Sequence, residues 1–158
     1  MRSNDELRQL YDRHVETIYR VCFIYLKNEF DTDDLVAETF YRLAKDETLF
    51  ESVEHEKAWL IKVATNLCKN KFRHWWNKTT SLKGHDPSFL PQGFEIDETL
   101  ALVMKLPDKY KTVIYMHYYE GYSAVEIAAL LNIKESTVYA QLHRGRQKLK
   151  MEMEGVLR

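Results

Sequence analysis

The chain has 158 residues, 45% of them hydrophobic and 30% charged, with a formal net charge of −1. That size suits one domain or two small ones with modest cores, and near-neutrality excludes a uniformly basic coat for nucleic acid. Five glycines and three prolines are few for this length, and apolar residues recur at three-to-four spacing, which predicts an all-α fold.

Cys22 and Cys68 fall on apolar helix faces with no Cys-x-x-Cys or Cys/His ligand spacing, so they read as buried small hydrophobes, not as a metal site or a disulfide. The first residues, MRSNDELRQLYDRH, are charged where a signal peptide needs an apolar core. No run approaches the roughly 20 apolar residues of a membrane span, so no membrane insertion is expected and the cytoplasm follows. Six histidines are scattered, and there is no nucleophile–base pair, Glu-x-x-His motif or glycine-rich phosphate loop. Neither an enzyme nor a cofactor is expected.

In chain order, Asp5 to Lys27 place Leu7, Leu10, Tyr11, His14, Ile18, Val21, Cys22 and Tyr25 on one helical face. His14 reads there as a satisfied core or rim histidine. A second helix is predicted from DTDD, with Asp31 as N-cap, Asp33 and Asp34 at the positive end of the dipole, and Leu35, Val36, Phe40 and Leu43 buried. From Glu29 to Glu56 ten acidic residues stand against Arg42 and Lys45, a net of −8. Such a helix should not face DNA but can face a basic protein surface. LFESVEHE, Leu49 to Glu56, breaks periodicity and reads as a loop.

From Lys57 the charge inverts. Lys57, Lys62, Lys69, Lys71, Arg73, Lys78 and Lys83 precede His85 without a single acid. Leu60, Ala64, Leu67, Cys68, Phe72 and Trp76 form the apolar side of this helix, while Lys62, Asn66, Lys69, Arg73 and Asn77 make a second stripe. Cations track phosphate, amides can read base edges, and aromatics such as Trp75 and Trp76 stack on exposed bases. The two tryptophans serve equally well to close the first core.

Residues 77–94, NKTTSLKGHDPSFLPQGF, hold two of the three prolines and two of the five glycines, which predicts a flexible linker. Two small readers tethered by it could reach elements about two duplex turns apart. A helix from about Asp97 with Leu100, Val103 and Met104 buried is then expected. Another spans Asp108 to Tyr119 with Tyr110, Val113, Ile114, His117 and Tyr118 inward.

Ser123 and Glu126 form a capping box, Ile127, Leu130 and Leu131 take helical spacing, and Asn132 suits a left-handed turn. A second helix buries Val138, Leu142 and Leu149 and turns Thr137, Tyr139, Gln141, Arg144 and Lys148 outward. Lys134 to Lys150 carries five cations against Glu135, a net of +4. This predicts a helix-turn-helix with a basic reader. Met151 to Arg158 read as a fraying end.

LPDKYKTVIYMHYYEGYSAVEIAALLNIKESTVYAQLHRGRQKL resembles the −35-reading domain of bacterial extracytoplasmic-function sigma factors, and DTDDLVAETFYRLAK and AWLIKVATNLCKNKFR resemble that family's first domain. The resemblance implies a region 2-like helical bundle over residues 1–77, a linker over 78–95 and a region 4-like helix-turn-helix domain over 96–158. It implies a factor that directs RNA polymerase core to promoters. Asp33, Asp34, Leu35, Glu38 and Phe40 would dock on the β′ clamp coiled coil, with Ala37 standing where the family has Gln. Lys62, Asn66, Lys69, Arg73, Trp75 and Trp76 would bind and melt the −10 region, and the 49–56 loop would capture a flipped base. Ser136, Thr137, Tyr139, Gln141, Arg144 and Lys148 would read −35 DNA, the β flap supporting that domain. An anti-sigma partner is implied as well. Gln141 replaces a basic residue of the family pattern, which predicts an altered −35 preference, since Gln pairs best with adenine. A stand-alone helix-turn-helix regulator is the alternative, and the acidic docking helix speaks against it.

Overall fold

The computed structural model describes residues 2–78 and 97–156, with side chains described over 2–71 and 97–155. The chain divides into two units, Met1–Phe94 and Glu95–Arg158, and the described residues form seven helices and no strand.

In the first unit, Ser3 accepts a hydrogen bond from the Glu6 amide at 3.2 Å and starts α1, Asn4–Leu26. The one-faced periodicity expected of α1 holds only at its start. From Val21 to Leu26 every side chain is buried, because α1 packs against both of its neighbours, α2 and α3. Lys27 ends it in the left-handed region at φ 61°.

α2, Glu29–Lys45, begins earlier than the sequence suggested, and its cap is Asn28 instead of Asp31. The Asn28 amide does two jobs that a carboxylate cannot combine. Its oxygen accepts from the Asp31 N–H at 2.9 Å while its nitrogen donates to the Leu26 carbonyl (3.0 Å) and the Asp31 carboxylate (2.7 Å). α3, Val53–Lys78, takes in half of the stretch expected to be loop.

Two polar staples join these helices. Arg2, its side chain 5% exposed, donates to the carbonyls of Leu43 (3.0 Å) and Thr48 (2.6 Å) and lies 4.8 Å over the Phe50 ring. Buried His14 of α1 meets Glu56 of α3 at 2.9 Å, and Arg13 donates to the same carboxylate at 3.2 and 3.0 Å. The His14 reading as a satisfied core histidine stands, and Glu56 belongs to the scaffold.

The second unit begins with α4, Glu98–Met104, where Asp97 accepts from the Leu100 amide at 2.7 Å. α5, Asp108–Tyr118, buries Tyr110, Val113, Ile114, Tyr115 and Met116, whereas Tyr118, expected inward, is 52% exposed. Gly121, at φ 76°, turns the chain so that the Tyr122 amide bonds to the Met116 carbonyl at 3.0 Å. His117 Nδ1–H donates to the Tyr122 carbonyl at 2.8 Å, which holds the turn from the other side.

α6, Ala124–Leu131, carries the expected capping box, Ser123 and Glu126 bonding to each other's amides at 3.1 and 3.0 Å. Asn132 is left-handed at φ 55° as expected, though Leu130 and Leu131 are only half-buried. α7, Glu135–Val156, takes in residues 151–156 of the segment expected to fray. It packs on α5 and α6 through Val138, Leu142 and Gly145, with Leu149 half-buried below. The expected 78–95 linker lies, apart from Lys78, outside the described residues.

Candidate nucleic-acid interface and acidic face

α2 buries Thr32, Leu35, Val36, Thr39, Phe40 and Leu43, the side of a 3.6-residue helix that meets α1 and α3. Leu35 and Phe40 are 7% and 6% exposed, and the Phe40 ring sits edge-on to Tyr11 with centroids 4.9 Å apart. Both side chains pack inward and hold α2 in place, and Phe40 also lines the open groove between α1 and α2 beside Tyr11, Ala37 and Tyr41.

What α2 does present is Phe30 (75% exposed), Asp33, Asp34, Ala37 and Tyr41 (54% exposed), at roughly i, i+3, i+4, i+7 and i+11. Glu38 lies at the edge, paired with Arg42 of its own helix at 3.1 Å. Desolvation and then the neighbouring Asp34 charge raise the Asp33 carboxyl above its ordinary value. Behind this face, burial first and then Asp33 and Glu29 push the Tyr19 phenol strongly up, so the acidic field reaches the core. Phe30 and Tyr41 carried no sequence signal that set them apart from core aromatics.

On α3, Leu60, Ile61, Ala64, Thr65 and Cys68 face inward, and Lys62, Asn66 and Lys69 are exposed at i, i+4 and i+7. The described part of the basic stripe therefore forms one continuous edge. Arg73, Trp75 and Trp76 belong to α3, but their side chains lie outside the described residues. Lys71 is turned toward the acidic helix, its Nζ 3.2 Å from Asp31 Oδ1. Before α3, Phe50 is enclosed by Arg2, His55 (5.1 Å) and Trp59 (6.0 Å), while its neighbour Leu49 is 88% exposed.

On α7 the six expected readers divide. Positions 139 and 141 lie about 200° apart around a helix, so Tyr139 and Gln141 flank it on opposite sides. Thr137, Gln141, Arg144 and Lys148 follow one flank, with Thr137 and Gln141 half-buried. Opposite the buried Val138–Leu142–Gly145 line stand Ser136, Ala140, His143 and Gln147, all exposed. Ala140, His143 and Gln147 were passed over because a small residue and two uncharged polar ones give no charge signal.

A cationic helix in each unit, the second of them closing a capped helix-turn-helix, has the chemistry of a nucleic-acid-binding surface. A Sigma-70 region 2 model matches residues 10–77 and a Sigma-70, region 4 model matches residues 96–149. The chain belongs to the sigma-70 family of RNA polymerase sigma factors, within the ECF group. It is 28% identical to the ECF RNA polymerase sigma factor SigW of Bacillus subtilis, over 96% of this chain and 90% of that protein. Against SigX of the same organism it is again 28% identical, over 92% and 82%.

Among solved structures it is similar to the sigma factor RpoE in complex with the anti-sigma factor NepR from Bartonella quintana. That match has a TM-score of 0.72 and 17% identity over 94% of this chain and 97% of that one. It is also similar to CnrH in complex with the cytosolic domain of CnrY, with a TM-score of 0.65 and 22% identity over 97% and 90%. At these identities the likeness speaks for the fold. No described helix is long and apolar enough to cross a membrane.

Proposed function

We propose that the protein brings RNA polymerase core to promoters, docking through α2, engaging the −10 region with α3 and the −35 duplex with α7. The observation that carries this reading is the segregation of charge within the first unit. Asp33 and Asp34 stand exposed on α2, while Lys62, Asn66 and Lys69 stand exposed on α3. An acidic face repels phosphate and attracts a cationic protein groove, and a lysine–amide edge does the reverse. Phe30 and Tyr41 flank the two aspartates and would supply the apolar contact area that such docking needs.

At the −10 region, exposed Leu49 ahead of α3 would contact a base taken out of the stack, while the α3 cations hold the backbone. At −35, the outward line of Ser136, Ala140, His143 and Gln147 would meet base edges in the major groove. Gln141, half-buried on the flank, would bias one adjacent position toward adenine. DNA selected by holoenzyme carrying Gln141→Arg should shift at that position, and an unchanged selection discards the assignment. Because two solved proteins of this fold are complexes, the first with an anti-sigma factor, a protein partner that masks these surfaces is part of the proposal.

Run-off transcription with purified core polymerase tests the reading as a whole. Added protein should give discrete promoter-dependent transcripts; core polymerase giving the same products without it would refute the function.

A further inference from the structure

Where α5 crosses α7 the two helices come unusually close. A Cβ on Gly145 would meet Ile114 at 2.7 Å and Tyr110 Cβ at 3.4 Å. That approach brings Tyr110 of α5 beside the flank of α7 that carries Arg144 and Lys148. Tyr110 is 5% exposed, and the Arg144 and Lys109 side chains lie close enough to bear electrostatically on its hydroxyl. Lys109 Nζ lies 5.1 Å and Lys148 Nζ 5.9 Å from the ring centroid. Burial alone would push the phenol up, and the Arg144 and Lys109 cations outweigh it and hold the group below its ordinary value.

Three cations from two helices thus surround one phenol. Among the described residues none of them is ion-paired with a carboxylate, and adjacent Asp108 is engaged by Lys111 at 3.1 Å. All three are exposed. Holding like charges together costs free energy unless an anion joins them. Lys109 extends the Thr137–Gln141–Arg144–Lys148 flank onto α5, alongside the outward line that would face the groove floor. A helix seated in a major groove has base edges beneath its outward face and a phosphate strand beside each flank.

We infer that Lys109, Arg144 and Lys148, organised around Tyr110, form a clamp for a backbone phosphate of the −35 duplex, and that Arg144 positions the domain instead of reading a base. This rests on the proposed −35 contact and assigns to it residues 35 and 39 positions apart in sequence. Specificity then falls to Ser136, Ala140, His143 and Gln147, with Gln141 adding to it at the edge of that line.

The test uses holoenzyme made with the full chain, on a promoter selected from random DNA by the wild-type holoenzyme. Lys109→Gln should lower the slope of log affinity against log salt by about 0.9, the value for one lost phosphate contact, and leave the selected −35 sequence unchanged. Arg144→Gln should do the same. Tyr110→Phe keeps the ring and should weaken binding several-fold at unchanged preference. A wild-type salt slope for Lys109→Gln overturns the clamp, and so does a changed base preference for Arg144→Gln. Lys109 is exposed, so its variant remains informative even if Arg144→Gln fails to fold. Should the wild-type holoenzyme bind with no dependence on −35 sequence or on the −35 duplex itself, the underlying −35 reading fails, a result distinguishable from failure of the clamp alone.

Discussion

Lys71 of the basic helix reaches Asp31 of the acidic one, with 3.2 Å between Nζ and Oδ1. The pair is partly exposed, its side chains 27% and 15% accessible, so it contributes no more than about 1 kcal/mol. It also removes Lys71 from the edge offered to DNA. Lys71→Gln should therefore lower stability slightly and leave promoter affinity within about twofold, whereas Lys62→Gln or Lys69→Gln should weaken promoter binding clearly. Filter binding at fixed salt separates the two cases.

Gly145 is a packing requirement of the second unit. An added methyl would lie 2.7 Å from Ile114 Cγ1, and Ile114 is itself fully buried. Overpacking costs about 1–3 kcal/mol, set against a gain of about 1 kcal/mol in helix propensity from Gly to Ala. Gly145→Ala should be mildly destabilising and Gly145→Val severely so, read by urea unfolding. A stabilised Gly145→Ala would show that α5 and α7 can separate freely at this point.

Arg2 ties the start of the chain to the segment between α2 and α3. With a nearly buried side chain and two carbonyl acceptors, Arg2→Ala should cost about 2 kcal/mol, and Arg2→Lys should recover only part of it because one ammonium cannot span Leu43 and Thr48. Leu49 should become more mobile as a result, visible as faster amide exchange across residues 46–50. Unchanged exchange would mean that Phe50 packing alone holds the segment.

Acid should unfold the protein through three depressed carboxylates. Asp46 is held low chiefly by hydrogen bonds from Thr48. Glu56 would be raised by burial, but His14 and Arg13 outweigh this and lower it. Glu126 is lowered by the Ser123 amide and hydroxyl. A carboxylate whose pKa is lower when folded stabilises above its unfolded pKa, and the contribution is lost as pH falls through the folded value. Melting temperature should be flat from pH 7 to about 5 and fall below about 4. Asp33, shifted up, works in the opposite direction, so Asp33→Asn should raise stability at neutral pH. A melting temperature that climbs below pH 4 would contradict the assignment.

Local chemistry explains what the sequence made legible. Ser123, Glu126 and Asn132 act on amides within a few residues, so their caps could be read directly. At the start of α2 the sequence pointed to Asp31, whereas the cap is Asn28, whose amide also bonds to the Leu26 carbonyl at the end of α1. Leu35 and Phe40 illustrate two readings in competition: family likeness put them on a surface, periodicity put them inside, and packing against Tyr11 followed periodicity. The approach of Lys148 to the Tyr110 ring joins distant positions and had no local signature.

Parallel assays of core polymerase capture and promoter opening, using charge substitutions on α2 and α3, bear most directly on the division between a protein-facing and a DNA-facing helix. Asp33→Lys with Asp34→Lys should abolish capture. Lys62→Gln with Lys69→Gln should capture polymerase normally and fail to open the promoter. If the α3 substitutions abolish capture, or the α2 substitutions leave it intact, the two helices do not divide the work in this way.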